Sequence, residues 1–247
     1  MTELCLKVQD LKKEYRSGRR QVLAVDQVSF SVYYGETLGI AGESGSGKTT
    51  IARMLTQIER PDGGSILLCG KPLEQSGRRQ VQMVFQNAPN SFSPRKTIGN
   101  TIYDSVRNFR LAAGKKEGRE LIGHYMDMVG LEPSFYDRYP GQLSGGQCQR
   151  AAIVRAVIPN PDLLILDEAT SALDVLVQKK IMELLSDIRK KMNMGMIFIS
   201  HDLALLGSFC DRLLIMKDGR TVEEGVTDSI LLNPQKEYTK KLIRSVL

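Results

Sequence analysis

A run of eight residues near the start of the chain has the composition of a phosphate-binding loop. Residues 42–49 read GESGSGKT, which fits the pattern G-x-x-x-x-G-K-[ST] at every defined position. Glycines let consecutive backbone N–H groups turn inward around phosphate oxygens, because no Cβ stands in the way. In such loops the lysine reaches the β- and γ-phosphates, and the hydroxyl that follows it binds Mg²⁺. The predicted phosphate contacts are Gly42, Glu43, Ser44, Gly45, Ser46, Gly47, Lys48, Thr49 and, in the helix that follows, Thr50.

The segments on both sides of this loop agree with that prediction. Residues 37–41 (TLGIA) form an apolar run typical of a strand, and residues 50–55 (TIARML) continue as a helix. A helix N-terminus binds anions through its free N–H groups and its dipole. A chance match is the alternative, and the order of strand, loop and helix argues against it. We therefore expect a nucleoside triphosphate site, which by itself fits a kinase, a GTPase or an ATPase.

A second candidate site lies at the end of an apolar segment. Residues 163–166 (LLIL) predict a buried strand, and Asp167 and Glu168 follow at the carboxyl edge of the sheet, where ligands bind in such folds. Successive strand side chains point in opposite directions, so the two acids have different roles unless the strand has ended. One can hold Mg²⁺ while the other polarises the attacking water. The start of a solvated loop is the alternative explanation, and the phosphate loop upstream favours function.

A third candidate site is a second helix start. Residues 142–147 (QLSGGQ) precede the alanine-rich residues 148–156 (CQRAAIVRA). Small residues and a hydroxyl before a helix form an N-terminus suited to an anion. A plain glycine loop with a serine cap is the alternative.

The apolar pattern predicts the elements that position these residues. Residues 4–32 contain short alternating segments, which are typical of antiparallel strands. Residues 87–159 read as longer amphipathic stretches, one of them a helix over 121–129 that ends before Gly130. Further strands are expected at 65–69, 81–85, 163–166, 196–199 and 212–216. The alternation predicts an α/β fold with a parallel sheet that is interrupted by a helical insertion.

Composition narrows the class of protein without selecting a function. The chain has 247 residues, of which 42% are hydrophobic and 25% charged, an ordinary globular balance. No apolar stretch approaches the roughly 18 residues that span a bilayer, and the N-terminus does not read as a signal peptide, so we expect a soluble cytosolic chain. The net charge of +6 is scattered over helical segments, which indicates solvated faces rather than a nucleic-acid surface. The four cysteines show no C-x-x-C spacing and are expected to be reduced thiols.

The motifs together resemble a known family. Residues 143–147 (LSGGQ), placed between the phosphate loop and the two acids, are similar to the signature of the ATP-binding cassette (ABC) ATPases, the nucleotide-binding subunits of ABC transporters. The resemblance covers nearly the whole chain. It implies a P-loop NTPase ABC-ATPase fold with a RecA-like parallel-sheet core, an N-terminal antiparallel β subdomain and an inserted α-helical subdomain.

The resemblance also divides the chain. It implies a single ABC ATPase domain over residues 1–247, with a catalytic core at 1–86 and 160–224. The helical signature subdomain is expected at 87–159 and a C-terminal helical tail at 225–247.

The resemblance assigns roles to individual residues. Residues 42–49 correspond to Walker A, Asp167 to the Walker B aspartate and Glu168 to the catalytic glutamate. Gln86 matches the glutamine that contacts Mg²⁺ and senses the membrane partner, and His201 matches the switch histidine near the γ-phosphate. The resemblance thus implies catalysis by Glu168, His201, Lys48 and Gln86, with Mg²⁺ held by Thr49, Gln86 and Asp167. Further nucleotide contacts are implied for Tyr15, which would stack on adenine, for Asp174 of the D-loop at 171–174, and for Ser144, Gly145, Gly146 and Gln147.

Two short segments resemble one branch of the family. Residues 91–97 (SFSPRKT) and 233–239 (NPQKEYT) are similar to stretches of peptide and nickel importer subunits. The end of the sequence at residue 247 favours the shorter nickel or metallophore type. Cys148 follows the signature where Arg, Leu or Met is more familiar, yet no catalytic group is missing. We therefore expect an active ATPase that powers import of peptides or of nickel and other metal complexes.

The resemblance implies partners that the chain lacks. ATP and Mg²⁺ would bind between two cassettes packed head to tail, with a second ABC ATPase subunit, expected to be a different protein, completing each site. Two membrane permeases and an extracytoplasmic solute-binding protein would complete the importer, at the cytoplasmic face of the cell membrane. No nucleic acid is expected. The alternatives are the ATPase of an ABC exporter and a non-transport or regulatory ABC ATPase.

Overall fold

A computed structural model describes residues 3–17, 20–75, 77–86, 88–171 and 173–245. The N-terminal part forms an antiparallel sheet in the order β2-β1-β4-β5. Its strands are β1 (Leu4–Ser17), β2 (Arg20–Tyr33), β4 (Gly63–Leu68) and β5 (Lys71–Pro72). The antiparallel prediction is confirmed, but the segments predicted as short are parts of two 14-residue strands. Register shifts between β1 and β2 and a positive φ of 49° at Asp10 break the alternation, which makes each long strand read as several short ones.

The second sheet has six strands in the order β10-β9-β3-β8-β7-β6. β6, β7, β8, β3 and β9 run parallel to one another, and β10 pairs with β9 in the antiparallel direction. The bounds are β3 (Thr37–Ala41), β6 (Val81–Val84), β7 (Leu163–Asp167), β8 (Gly195–Ile199), β9 (Arg212–Lys217) and β10 (Arg220–Val226). Every residue of β3, β7 and β8 is buried, which is why they read as continuous apolar runs. β10 is half-exposed and polar, so the sequence did not predict it.

Helices surround the parallel sheet and fill the insertion between β6 and β7. The insertion holds α2 (Ile98–Asn108), α3 (Lys115–Met128) and α4 (Gly145–Val157). The predicted helix end is confirmed, because α3 ends at Met128 and Val129 is its C-cap residue. Gly130 follows with a φ of +66°, a conformation that costs other residues free energy. The remaining helices are α1 (Lys48–Leu55), α5 (Val175–Met192), α6 (Leu203–Phe209), α7 (Thr227–Leu232) and α8 (Glu237–Arg244).

The six-stranded sheet is buried on both faces. Leu163 and Ile165 of β7 belong to a core shared with α1 and the antiparallel sheet, whereas Leu164 and Leu166 belong to a core shared with α4, α5 and the helical insertion. Alternate residues of one strand thus enter two different cores. The carboxyl ends of β3, β7 and β8 are held from both sides, which fixes the positions of the residues that follow them.

In the part of the chain that the structure describes, no helix has both the length and the apolar character needed to cross a membrane. Cys5, Cys69, Cys148 and Cys210 form no disulfide bond in the structure.

Candidate active site

The phosphate-binding loop connects β3 to α1, as predicted, and two of its glycines are required by close backbone contacts. Gly47 has a φ of +101°, and a Cβ on it would lie 2.3 Å from the carbonyl oxygen of Ala24. Gly42 has a φ of +154°, and its Cβ would lie 2.3 Å from the carbonyl oxygen of Met216. Both distances are far below van der Waals contact. Only glycine allows this loop to fold against β2 and β9.

The helix that starts at Lys48 presents an uncapped N-terminus. No side chain accepts a hydrogen bond at its N-cap, Gly47, and no acidic residue stands in its first turn. The first N–H groups of α1 therefore lack a side-chain acceptor, and the helix dipole adds partial positive charge at the same place. This end of α1 is suited to an anionic ligand.

Lys48 is buried within its own loop. Its ammonium Nζ donates hydrogen bonds to the carbonyl oxygens of Gly42 at 2.7 Å and Glu43 at 2.8 Å, and to the hydroxyl of Ser46 at 3.3 Å. Burial lowers the pKa of this amine, while the negative charges of Glu168 and Asp167 oppose the shift. The carbonyls and the two acids therefore hold a cation at the position where phosphates would bind.

A cavity of about 170 Å³ opens at this loop. It is lined by Ala24, Ser44, Gly45, Gly47, Lys48, Thr49, Thr50 and Glu168. The structure thus brings six of the nine predicted phosphate contacts and one of the predicted acids to one cavity, whereas Gly42, Glu43 and Ser46 do not line it. Ala24 was not predicted, because a small residue inside a strand carries no motif.

Asp167 and Glu168 are directed to different partners. Asp167 is the last residue of β7 and is buried, with a side-chain hydrogen bond to Thr49. Burial raises the pKa of the Asp167 carboxyl and the charge of Glu168 adds to the rise, whereas the Thr49 bond and Lys48 oppose it. Glu168 leaves the strand at a φ of +46°, and its N–H donates to the carbonyl of Ile199 at 2.9 Å. The strand has ended at Glu168, so the backbone turn, not strand alternation, separates the two carboxylates.

The Glu168 carboxylate joins the ends of three strands. Gln86, which follows β6, donates from Nε2 to Glu168 Oε2 at 2.7 Å. His201, which follows β8, places Nδ1 3.1 Å from Glu168 Oε1. Both partners leave their strands at the same sheet edge, and each engages one carboxylate oxygen. The resulting Gln86, Glu168 and His201 cluster fixes the orientation of the carboxylate beside the cavity.

The signature residues form a helix start that faces another part of the chain. Ser144 caps α4: its hydroxyl accepts the N–H of Gln147 at 3.3 Å, and Gln147 Oε1 accepts the N–H of Ser144 at 2.9 Å. A Cβ on Gly146 would lie 2.7 Å from Cγ1 of Val177. Asp174 caps α5 by accepting the N–H of Val177 at 3.0 Å. Among the described residues around the phosphate-loop cavity, none comes from Ser144 to Gln147, so the chain's own signature does not close its own site.

Tyr15 is positioned by α1 and the turn after it. Its hydroxyl donates to the carboxylate of Glu59, which also pairs with Arg53 at 3.2 Å. Burial raises the pKa of Tyr15, and the Glu59 bond adds to this effect while a bond from Thr50 opposes it. Tyr15 therefore lies next to the helix that follows the phosphate loop. No motif in the sequence pointed to Glu59, which is one more acid near a helix end. Of the residues predicted for the D-loop, Ala172 lies outside the described residues.

The fold and the site define an α/β nucleotide-binding protein of the P-loop class. Residues 25–171 match the family described as "ABC transporter", and the chain belongs to that family. It is accordingly an ABC-type ATPase whose ATP hydrolysis is coupled to transport. The predicted family and fold class are confirmed.

Similar proteins include peptide transport subunits. The chain is 41% identical to "Dipeptide transport ATP-binding protein DppF" of Haemophilus influenzae, over 94% of this chain and 73% of that protein. It is 39% identical to "Oligopeptide transport ATP-binding protein OppF" of Escherichia coli, over 97% of this chain and 74% of that protein.

Solved structures agree with the fold. A dimeric post-hydrolysis state of the ATP-binding cassette MJ0796, bound to ADP and Pi, superimposes with a TM-score of 0.80 at 29% identity, covering 90% of this chain and 98% of that one. The protein cbiO1 from Clostridium perfringens, part of the ABC transporter complex cbiONQ, has a TM-score of 0.82 at 28% identity, covering 99% and 94%.

Proposed function

We propose that the protein is the ATP-hydrolysing subunit of an ABC importer that takes up peptides across the cytoplasmic membrane. The observation that supports hydrolysis most directly is the Glu168 carboxylate, oriented by Gln86 and His201 beside the phosphate-loop cavity. The names of the dipeptide and oligopeptide relatives support peptides as the cargo. Nickel or another metal complex is the second candidate cargo, supported by the resemblance of residues 91–97 and 233–239 to both importer types.

Three residues at or beside the cavity fit Mg²⁺ as the cofactor: Thr49 lines the cavity, Asp167 is bonded to Thr49, and Gln86 is bonded to the lining residue Glu168. Thr49 offers a hydroxyl, Asp167 a carboxylate and Gln86 an amide oxygen, and hard oxygen ligands are those that Mg²⁺ prefers. Thr49 and Asp167 already share a hydrogen bond, so their oxygens lie next to each other. When bound, Mg²⁺ neutralises charge on the β- and γ-phosphates. Burial raises the pKa of Asp167 and the charge of Glu168 adds to the rise, so a bound cation would favour the ionised form of this carboxyl.

We assign the remaining steps to Lys48 and Glu168, which line the cavity, and to His201 and Tyr15, which lie outside its lining. Lys48 exchanges its loop carbonyls for the β- and γ-phosphates, and the N–H groups at the start of α1 bind phosphate oxygens. Glu168 orients water for in-line attack, and it stays in place because each of its oxygens has a partner. His201, whose Nδ1 lies 3.1 Å from Glu168 Oε1, steadies the γ-phosphate. Tyr15, held by Glu59, offers its ring to adenine.

A second subunit completes the site in this proposal. The signature helix start lies against Leu173 and Val177 rather than at its own phosphate-loop cavity. The Ser144 cap engages only the N–H of Gln147, and Ser144 and Gly145 are exposed, so we propose that the other N–H groups at this helix start bind a γ-phosphate held by another cassette packed head to tail. We propose that the partner cassette is a different protein, so that the assembly is a heterodimer.

The permease is expected to bind beside Gln86. A groove of about 550 Å³ runs between the end of α1, strand β6 and helix α2. Two apolar side chains at this groove are exposed, Phe85 by 41% and Ile58 by 58%. Phe85 directly precedes Gln86, so a permease segment seated there would move the residue that orients Glu168. The proposed location of the protein is thus the cytoplasmic face of the membrane, bound peripherally through its permeases, with a solute-binding protein delivering cargo from outside.

Uptake measurements test this function and separate the two cargoes. A deletion strain complemented with the wild-type gene or with Lys48→Ala is supplied with a labelled dipeptide or with ⁶³Ni²⁺. We expect dipeptide uptake only with the wild-type gene, and nickel uptake unchanged by the deletion. Loss of nickel uptake alone would assign the metal complex instead. Unchanged uptake of both would contradict an importer role.

A further inference from the structure

The C-terminal segment that distinguishes the importer branch contacts the phosphate-binding loop. Residues 233–239 lead into α8, and the start of that helix is anchored on strand β10. The Glu223 carboxylate accepts the N–H of Gln235 at 2.8 Å and the N–H of Lys236 at 3.2 Å. Thr239, in the first turn of α8, is fully buried. These contacts fix the position and direction of the first turn of α8.

This anchoring places Tyr238 at the start of the phosphate loop. The hydroxyl of Tyr238 accepts the backbone N–H of Glu43 at 3.4 Å. The ammonium of Lys217, at the end of β9, lies 5.0 Å from the centroid of the Tyr238 ring, within the range of a cation–π contact. Burial raises the pKa of the Tyr238 hydroxyl, with the Glu43 N–H opposing and the charges of Glu43 and Asp218 adding to the rise. The hydroxyl is therefore neutral at physiological pH.

Glu43 is also one of the three residues that accept a hydrogen bond from Lys48. Its carbonyl accepts the Lys48 ammonium at 2.8 Å, while its N–H donates to Tyr238. The β9–β10 turn holds the other part of the loop, where the N–H of Gly219 donates to the carbonyl of Ser46 at 3.2 Å. The loop is thus supported on the outside by Tyr238 and by this turn. On its inner side the loop is held by the hydrogen bonds of the Lys48 ammonium, until that ammonium binds phosphates instead.

We propose that Tyr238 is a positioning residue for ATP binding, which acts on the phosphate loop through the Glu43 amide. When Lys48 leaves the Glu43 carbonyl for the phosphates, the tyrosine contact is what keeps this end of the loop in its bound shape. Loss of the tyrosine contact lets the loop sample other conformations. The entropy lost when nucleotide orders the loop again then reduces the affinity for nucleotide. The inference rests on the proposed ATPase function and adds the tail as part of the nucleotide site.

The test compares the full-length variants Tyr238→Phe and Tyr33→Phe. The first removes only the hydroxyl that accepts from Glu43 and keeps the ring over Lys217, and the second removes a half-buried tyrosine hydroxyl in the antiparallel sheet. We expect Tyr238→Phe to raise the KM for ATP about three- to tenfold, as loss of one net hydrogen bond implies, with kcat within about twofold of wild type. Tyr33→Phe should match wild type in both parameters.

Amide exchange gives a readout that a merely structural role would not move. In Tyr238→Phe the Glu43 amide should exchange faster in the nucleotide-free protein, while the thermal midpoint stays equal to that of Tyr33→Phe. An unchanged KM, or a change confined to kcat or to thermal stability, would overturn the proposal. Absence of ATP hydrolysis in the wild-type protein would instead refute the proposed function, so the two failures are distinguishable.

Discussion

Replacing Glu168 by glutamine tests the centre of the site without disturbing its packing. Glutamine has nearly the same shape, and its amide oxygen can still accept the hydrogen bond that Gln86 donates at 2.7 Å. Nδ1 of His201, 3.1 Å away, donates to the present carboxylate, and it can accept from the glutamine NH₂ group when the imidazole carries its proton on Nε2 instead. The variant therefore loses the negative charge and the basicity while its neighbours keep their hydrogen bonds.

The size of the effect follows from the role assigned to the carboxylate. A positioned general base contributes about 10²- to 10⁴-fold to rate, which corresponds to about 2.7–5.4 kcal/mol at 1.36 kcal/mol per factor of ten. The negative charge of Glu168 repels Asp167 and contributes to the raised pKa of Asp167. Loss of that charge in the variant removes this repulsion. Nucleotide affinity should thus be kept or increased while hydrolysis falls.

The assay measures phosphate release at saturating Mg-ATP, together with equilibrium ATP binding and the oligomeric state by size-exclusion chromatography. We expect Glu168→Gln to lose at least 10²-fold in rate and to accumulate an ATP-bound dimer. Glu183→Gln, the same change at an exposed glutamate on α5, serves as the control and should match wild type. A Glu168→Gln rate within about threefold of wild type would remove Glu168 from the hydrolytic step.

Three further predictions concern the signature helix, the Asp167 carboxyl and the glycine contact with α5. Ser144→Arg should lower the rate of ATP hydrolysis, while the affinity of the monomer for ATP stays unchanged. Ser144→Ala is the control for stability, because it loses only the helix cap, at a cost of about 0.5–2 kcal/mol. A large loss of monomer affinity in Ser144→Arg would contradict a site shared between subunits. Because the Asp167 pKa is raised in the folded protein, its ionised form costs stability above that pKa and the cost disappears as pH falls toward 3.8. Asp167→Asn should therefore raise the thermal midpoint of the nucleotide-free protein at neutral pH, with the advantage shrinking toward pH 4, and an equal or lower midpoint at pH 7 would refute this. Gly146→Ala, whose Cβ would lie 2.7 Å from Val177, should cost about 1–3 kcal/mol in urea unfolding, whereas Gly123→Ala, which meets nothing within 4 Å, should cost nothing.

The sequence could predict the parts of the fold that depend on local pattern. Strands β7 and β8 were found because every residue in them is buried, and the end of α3 because Gly130 takes a positive φ. The polar strand β10 was missed, since its residues carry no apolar period. The backbone turn at Glu168 could not be predicted from the sequence either. Glutamate rarely adopts a positive φ such as +46°, so this conformation is imposed by the surrounding structure.

Contacts between distant residues account for the rest of the site. The order of motifs indicated that Gln86 and His201 share a site with Glu168, but not that each takes one carboxylate oxygen. Tyr238 and Glu43 are 195 positions apart, and the tail was recognised only as a marker of the importer branch. The catalytic roles of these residues stay predictions until the variants are measured.

The hydrogen bonds of Lys48 within its own loop set a threshold for ligands. A ligand must replace two carbonyl oxygens and one hydroxyl before it gains the ammonium group. A triphosphate brings many oxygens and several charges to this exchange, whereas a lone phosphate or sulfate ion brings few. Between a triphosphate and a small anion, the loop thereby discriminates by ligand charge.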